Sequence, residues 1–358
     1  MCKTIKLATI AILCVAIVGV SLSIYYGVNI GIPSSLLPNN EDTETSTGGN
    51  EDTETNTGSG YAEESGYESV ECEKTNIVSN GNGQLPIYQS ITKEEGIIYG
   101  QGATDNGNID LKMDIYHPGS SFLNRNYQKY PLMIHIHGGS FTGGSKSDGY
   151  MKSLSEFWAH RGFVVASIDY RLMGNSPIVS NNMKPVLDYV TLNLSDVLKN
   201  EAQAKAAVCA VEDTLTAYDY LKNLNFVDLD KVVLNGYSAG AITALWAAYG
   251  VDNFAIDRPP IKAVLSHWGM LVTEKDQMKA LVDQPYEPPV FLIHATGDGT
   301  VPYDGTQLLA DRMHNLKFPY ALHCQESGTH AIDIDATIHT GSMTILNAEV
   351  LFLANILI

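Results

Sequence analysis

Past about Glu73 the chain settles into short apolar, β-branched runs separated by longer stretches with helical spacing. From Ile109 to Tyr116 apolar and polar positions alternate, with Leu111, Met113 and Ile115 set against Lys112 and Asp114. That period predicts an antiparallel strand with one solvated face. Leu132–Ile136, Phe163–Ile168, Lys231–Leu234, Ile261–Leu265 and Val290–Ile293 are nearly continuous apolar runs. They predict strands of a parallel sheet buried on both faces. Between them, Ser153–His160 and Ala202–Leu224 have helical periodicity. The alternation predicts an α/β architecture, a mostly parallel central sheet with helices on both faces. Met173–Asn200 interrupts the rhythm and is expected to form a lid or cap over one end.

The pattern ahead of this body is different. Lys3 and Lys6 precede a charge-free run from Leu7 to Ile32. That run is longer than the about 7–15 apolar residues of a secretory signal and matches the about 20 of a membrane span. It fits a signal-anchor at least as well as a cleaved signal, with Ser21-Leu22-Ser23 as a small-x-small cleavage site. The two lysines favour a cytoplasmic N-terminus and an exported body, either anchored in the cell membrane or secreted. Leu13 before Cys14 argues against a lipoprotein site. Next comes a tandem repeat, NEDTETSTGG from Asn40 and NEDTETNTGS from Asn50. It has no aliphatic residues and cannot bury a core, so it reads as a solvated, self-repelling spacer. The expected organisation is therefore 1–32 targeting segment, 33–74 acidic linker and 75–358 folded domain.

Charge changes this picture little. Of the 40 Asp and Glu in the 358-residue chain, eleven fall between Glu41 and Glu73, where there is no Lys or Arg. The formal net charge of −18 is thus largely the linker's, and the body is mildly acidic with no basic patch. Nucleic acid is excluded as a partner on that ground. Membrane contact is expected only through the N-terminal segment. The five cysteines are Cys2, Cys14, Cys72, Cys209 and Cys324, and the last two sit in apolar stretches where free buried thiols are expected. No metal-ligand spacing is present, no calcium loop accompanies the acidic repeat, and neither metal nor cofactor is expected.

The chemistry concentrates in four segments. An apolar strand leads into Gly236-Tyr237-Ser238-Ala239-Gly240, and a helix-forming stretch, AITALWAAYG, follows at once. This is the strand–turn–helix setting in which a GxSxG serine is a nucleophile. A tight structural turn would show the same five residues. His137-Gly138-Gly139-Ser140-Phe141 comes directly after Leu132–Ile136, and Asp169-Tyr170-Arg171-Leu172 follows the next strand. Ile293 through Pro302 reads IHATGDGTVP, and Gly328-Thr329-His330-Ala331 lies past the Tyr320–Cys324 run.

In these motifs the chain resembles the HGGG-type carboxylesterases and lipases of the α/β-hydrolase superfamily, from roughly Ile109 to the C-terminus. The resemblance implies Ser238 as nucleophile, Asp298 as the acid of an HGxxDxxVP-like segment, and His330 as base, in the order that fold uses. Asp304, Asp333 and Asp335 are rival acids; Asp298 is favoured by its flanking glycines and Pro302. His314 and His323 are weaker bases, one in a helical stretch and one inside a strand. The implied oxyanion donors are the N–H groups of Gly139, Ser140 and Ala239, with Gly138 as a substitute. Ser140 replaces the family's third glycine, Ala295 replaces its glycine after the histidine, and the DYRL-like segment is architectural. His137 is expected to fix the loop.

The expected activity is carboxylic-ester hydrolysis through an acyl-enzyme without a cofactor. The Phe141–Ser147 loop, FTGGSKS, is small and polar, and the chain is similar to esterases that remove acetyl or feruloyl groups from plant polysaccharides. Short acyl esters, acetylated carbohydrate among them, are the expected substrates. An apolar lid from Met173, Ile178, Val179 and Leu187 would instead make a lipase. The same fold also hosts serine peptidases and non-catalytic surface binding modules. An exported setting disfavours an acyl-CoA thioesterase.

Overall fold

The computed structural model describes residues 68–77, 84–119, 128–192, 197–273, 275–283, 286–326, 328–337 and 343–358. The Leu7–Ile32 run expected to be a targeting segment and the acidic repeat lie outside the described residues. Eight strands form one sheet: β1 (Ile91–Thr104), β2 (Gly107–Pro118), β3 (Tyr130–Ile136), β4 (Val164–Ile168), β5 (Val227–Tyr237), β6 (Ile261–His267), β7 (Val290–Ala295) and β8 (Tyr320–Gln325). Their order is β1-β2-β4-β3-β5-β6-β7-β8. Every pair from β4 through β8 is parallel, while β1–β2 and β2–β4 are antiparallel. The helices are α1 (Gly149–His160), α2 (Lys184–Leu192), α3 (Glu201–Leu221), α4 (Ala239–Leu245), α5 (Lys275–Leu281), α6 (Tyr303–Leu316) and α7 (Ile345–Leu357).

Successive side chains of a strand point to opposite faces, and the apolar runs use both. Leu132, Ile134, Val164, Ala166, Val232, Leu234, Val264 and Leu292 enter one core cluster with residues of α2, α3, α4 and α6. Met133, Val165, Val233, Leu265, Phe291 and Ile293 enter a second, with Met151, Leu154 and Trp158 of α1 and Phe352 and Leu353 of α7. The predicted parallel strands are all present and buried on both sides. β2 is antiparallel as its alternation predicted, but its polar face is not solvated where it matters. Asp114 is buried and sits 2.9 Å from Lys146 Nζ.

Two expectations need correcting. Cys324 is not a free thiol: it forms a disulfide with Cys72. Cys209 is free and buried, as expected. The segment before residue 75 is also not all linker. Residues 72–76 lie along β8, an edge strand of the sheet, through Leu322 N–H to Lys74 O (2.8 Å) and Asn76 N–H to Tyr320 O (3.2 Å), while residues 68–70 contact Asp311 and Asn315 of α6. Val70 is buried, with its N–H on Asp311 Oδ1 at 2.7 Å. A strap so placed covers backbone groups that an edge strand otherwise presents for misassociation.

Candidate active site

β5 ends in a turn that only glycine permits at both flanks. A Cβ on Gly236 would lie 2.2 Å from Gly240 O, and one on Gly240 would lie 2.1 Å from Ile136 O. Between them Ser238 adopts φ 53° and ψ −118° as the residue capping α4. This is a sparsely populated region for a residue with a Cβ, and such strain persists only where its surroundings over-determine it. Here Ser238 N–H is held by His267 O at 2.9 Å, while Ser238 O accepts from Ala241 and Ile242 N–H in the first turn of α4.

Three side chains from separate segments converge on that turn. Ser238 Oγ lies 2.7 Å from His330 Nε2, and His330 Nδ1 lies 2.7 Å from Asp298 Oδ2. Asp298 Oδ1 accepts the N–H groups of Thr300 (2.8 Å) and Val301 (3.0 Å). Burial pushes the Asp298 carboxyl upward, but the hydrogen bonds from His330 and these two amides outweigh it and hold the group below the ordinary carboxylate value. The acid is therefore ionised wherever the imidazole needs a counter-charge. The rival groups are elsewhere. Asp304 and Asp335 are exposed, His314 pairs with Glu68, and His323 pairs with Glu73. Asp333 is exposed at the pocket rim and accepts the Asp335 N–H.

The loop after β3 is as demanding. Gly139 has φ 119°, and a Cβ there would sit 2.2 Å from Gly143 O. Ser140 and Phe141 continue in left-handed conformations at φ 55° and 61°. Ser140 thus tolerates the geometry its family position gives to glycine, helped by Gln203 Nε2 donating to its carbonyl at 3.0 Å. The Gly138 N–H is occupied by the Tyr150 hydroxyl at 3.3 Å. The N–H groups of Gly139, Ser140 and Ala239 have no acceptor among the described residues. His137 fixes the loop, as expected. Its ring stacks on Tyr170 with centroids 4.2 Å apart, and the Tyr170 hydroxyl donates to His137 O at 2.8 Å. The DYRL-like segment is architectural too: Asp169 accepts Lys146 N–H, and Arg171 pairs with Asp213 and Glu212.

Ser238 and His330 open into a pocket of about 610 Å³ with Tyr150, Leu154, Tyr237, Trp268, Ile332 and Ile334 among its walls. Its apolar surface comes from these residues, not from Phe141, which is buried behind the loop after β3. No described residue of Met173–Asn200 lines it. Val179, Met183, Val186 and Val190 of that stretch join the core cluster instead, so its described residues form no lid over this pocket. Among the described residues no cluster of His, Cys, Asp and Glu has the makings of a metal site. Sequence reasoning missed His294, whose Nε2 lies 3.0 Å from Asp298 Oδ2 as a second histidine on the acid. Burial lowers its proton affinity, with Asp298 offsetting part of that. The signal was present, since His294 stands inside the IHATGDGTVP motif. Tyr150 and Trp268 carried no such signal.

Comparison with known proteins agrees with this fold. The BD-FAE family model matches residues 113–197, and the Phospholipase/Carboxylesterase family model matches residues 179–338, which includes Ser238, Asp298 and His330. The chain has the α/β-hydrolase fold. Among solved structures, this chain is similar to the propionate-bound thermophilic esterase Est2 of the planctomycete Thermogutta terrifontis. The TM-score is 0.50 at 20% identity, covering 73% of this chain and 92% of that one. A curated relative, the non-reducing polyketide synthase atr1 of Stereocaulon alpinum, is 28% identical over 160 residues. The match takes in 45% of this chain but only 5% of the synthase's length.

Proposed function

We propose that this hydrolase is a serine carboxylic-ester hydrolase acting through an acyl-enzyme on short-chain acyl esters, acetylated carbohydrate among them. The observation that carries the reading is the continuous hydrogen-bonded line from Ser238 Oγ through His330 to Asp298, opening on a pocket with free backbone donors. His330 Nε2 takes the Ser238 proton as Oγ attacks the ester carbonyl, and Asp298 stabilises the imidazolium that forms. The negative charge on the former carbonyl oxygen falls to the N–H groups of Gly139, Ser140 and Ala239. His330 then gives its proton to the departing alcohol, which leaves the acyl group on Ser238. Water, deprotonated by the same imidazole, attacks that ester and releases the acid.

The small loop residues beside the oxyanion donors support a short acyl group, and the absence of the described Met173–Asn200 residues from the pocket weakens the lipase reading. An exported domain, anchored or secreted, is part of the same proposal. It rests on the Leu7–Ile32 run, and the Cys72–Cys324 bond, of a kind rare in a reducing cytosol, supports it. Among the described residues no helix is long and apolar enough to cross a membrane, and 1–32 lies outside them. A series of p-nitrophenyl esters graded by acyl length tests the substrate. Turnover is expected to be highest at acetate to butyrate. A maximum at C8 or longer, or activation at a lipid interface, would make the protein a lipase.

A further inference from the structure

Beneath the nucleophile turn lies a second histidine–carboxylate pair that the reaction as described does not use. His267 ends β6 and Glu349 belongs to α7, 82 residues further on, and both side chains are fully buried. His267 Nε2 lies 2.6 Å from Glu349 Oε1, and its Nδ1 lies 3.0 Å from Gly236 O. A carbonyl oxygen only accepts, so Nδ1 carries a proton. The short contact on the other side then needs one more proton between ring and carboxyl. Wherever that proton resides, Glu349 fixes the imidazole with its Nδ1–H aimed at Gly236 O. Glu349 Oε2 has no partner among the described residues, so the bond to His267 is the one that this buried carboxyl makes.

His267 grips the turn at three successive residues. Its ring donates to Gly236 O, stacks on the Tyr237 ring at 4.1 Å and 17°, and its own carbonyl accepts Ser238 N–H at 2.9 Å. Those residues hold Ser238 in its left-handed conformation, from which Oγ reaches His330. We infer that His267 and Glu349 are positioning residues: the C-terminal helix, through this pair, holds the nucleophile turn in its reactive geometry. The inference rests on Ser238 being the nucleophile. It assigns Glu349 no contact with substrate, only the aim of the group that attacks.

The test uses the full-length protein with Glu349→Leu, which keeps the volume and loses the hydrogen bond, and Glu349→Gln, whose amide can still donate to Nε2. Active sites are counted by the burst of p-nitrophenol from an organophosphate p-nitrophenyl ester, and kcat per counted site and KM are measured on p-nitrophenyl acetate. For Glu349→Leu, kcat per site should fall about 10- to 100-fold with KM within about twofold, the signature of a misplaced reacting group. The phosphorylation rate should fall in parallel, and Glu349→Gln should recover to within about threefold of the wild type. Unchanged kcat per site in Glu349→Leu, or a Gln variant as impaired as Leu, overturns the inference, since a purely packing role lowers stability and not turnover per site. If the Leu variant does not fold, the wild-type His267 Nδ1–H resonance is followed by NMR as Ser238 is phosphorylated. It should move, and a stationary signal overturns the inference. A wild type that gives no burst and no Ser238 adduct would instead overturn the serine-nucleophile reading itself.

Discussion

Four contacts meet at the Asp298 carboxylate: His330, His294 and the N–H groups of Thr300 and Val301. Removing the imidazole base is a larger change than neutralising its partner. His330→Ala should therefore cost on the order of a thousandfold in kcat, and Asp298→Asn somewhat less. Asp333→Asn and Asp335→Asn should change turnover by less than about threefold, because neither touches His330. An indispensable Asp333 with a dispensable Asp298 in steady-state kinetics would show the acid to be misassigned. The three side chains that converge here, Ser238, His330 and Asp298, were singled out in the sequence because each stands in a short glycine-containing motif just past a strand, and such motifs leave a local signature. His267, Glu349 and Tyr150 were not legible. Their roles come from contacts between elements far apart in the chain, and a buried Glu in an apolar helix looks locally like any other glutamate.

At the scale of elements, the parallel strands were readable from their continuous apolar runs, since burial on both faces leaves no polar positions. β1 was missed because its sequence, ITKEEGIIYGQGAT, mixes charge and glycine along an edge strand next to β2. The helix starting at Gly149 was expected to begin at Ser153, because its first turn lacks the apolar spacing. The strap at 68–76 was missed for a related reason. It is a polar segment whose place is fixed by backbone pairing with β8 and by the Cys72–Cys324 bond, neither of which leaves a periodic pattern. That bond closes a span of 252 residues, so its loss should be felt mainly as stability. A Cys72→Ser, Cys324→Ser variant should lose roughly 2–5 kcal/mol in urea unfolding and become open to proteolysis near the strap. An unchanged unfolding midpoint would show that the strap is not tied to the body by this bond.

For the whole molecule, the buried histidines set a limit on acid tolerance. Burial pushes His135 down to about 3 from an ordinary 6.5, with nearby His267 adding to it. The unfolded chain therefore takes up a proton that the folded one refuses as pH falls through about 6.5. Stability is lost progressively from there toward pH 3, up to on the order of 4 kcal/mol for this one group. His135→Gln should flatten the dependence of unfolding free energy on pH between 7 and 4 by about one proton, and an unaltered slope would contradict the assignment. Export is checked by N-terminal sequencing of the mature protein: a start at Ile24 means secretion, an intact Lys3 an anchor. The proposed reaction rests on Ser238. Replacing it with alanine in the full-length protein and measuring p-nitrophenyl acetate turnover is the most direct test. The expected result is a folded protein whose kcat is lower by at least about a thousandfold. A folded Ser238→Ala variant with turnover comparable to the wild type would contradict the serine-esterase account and leave a binding module on this fold as the better reading.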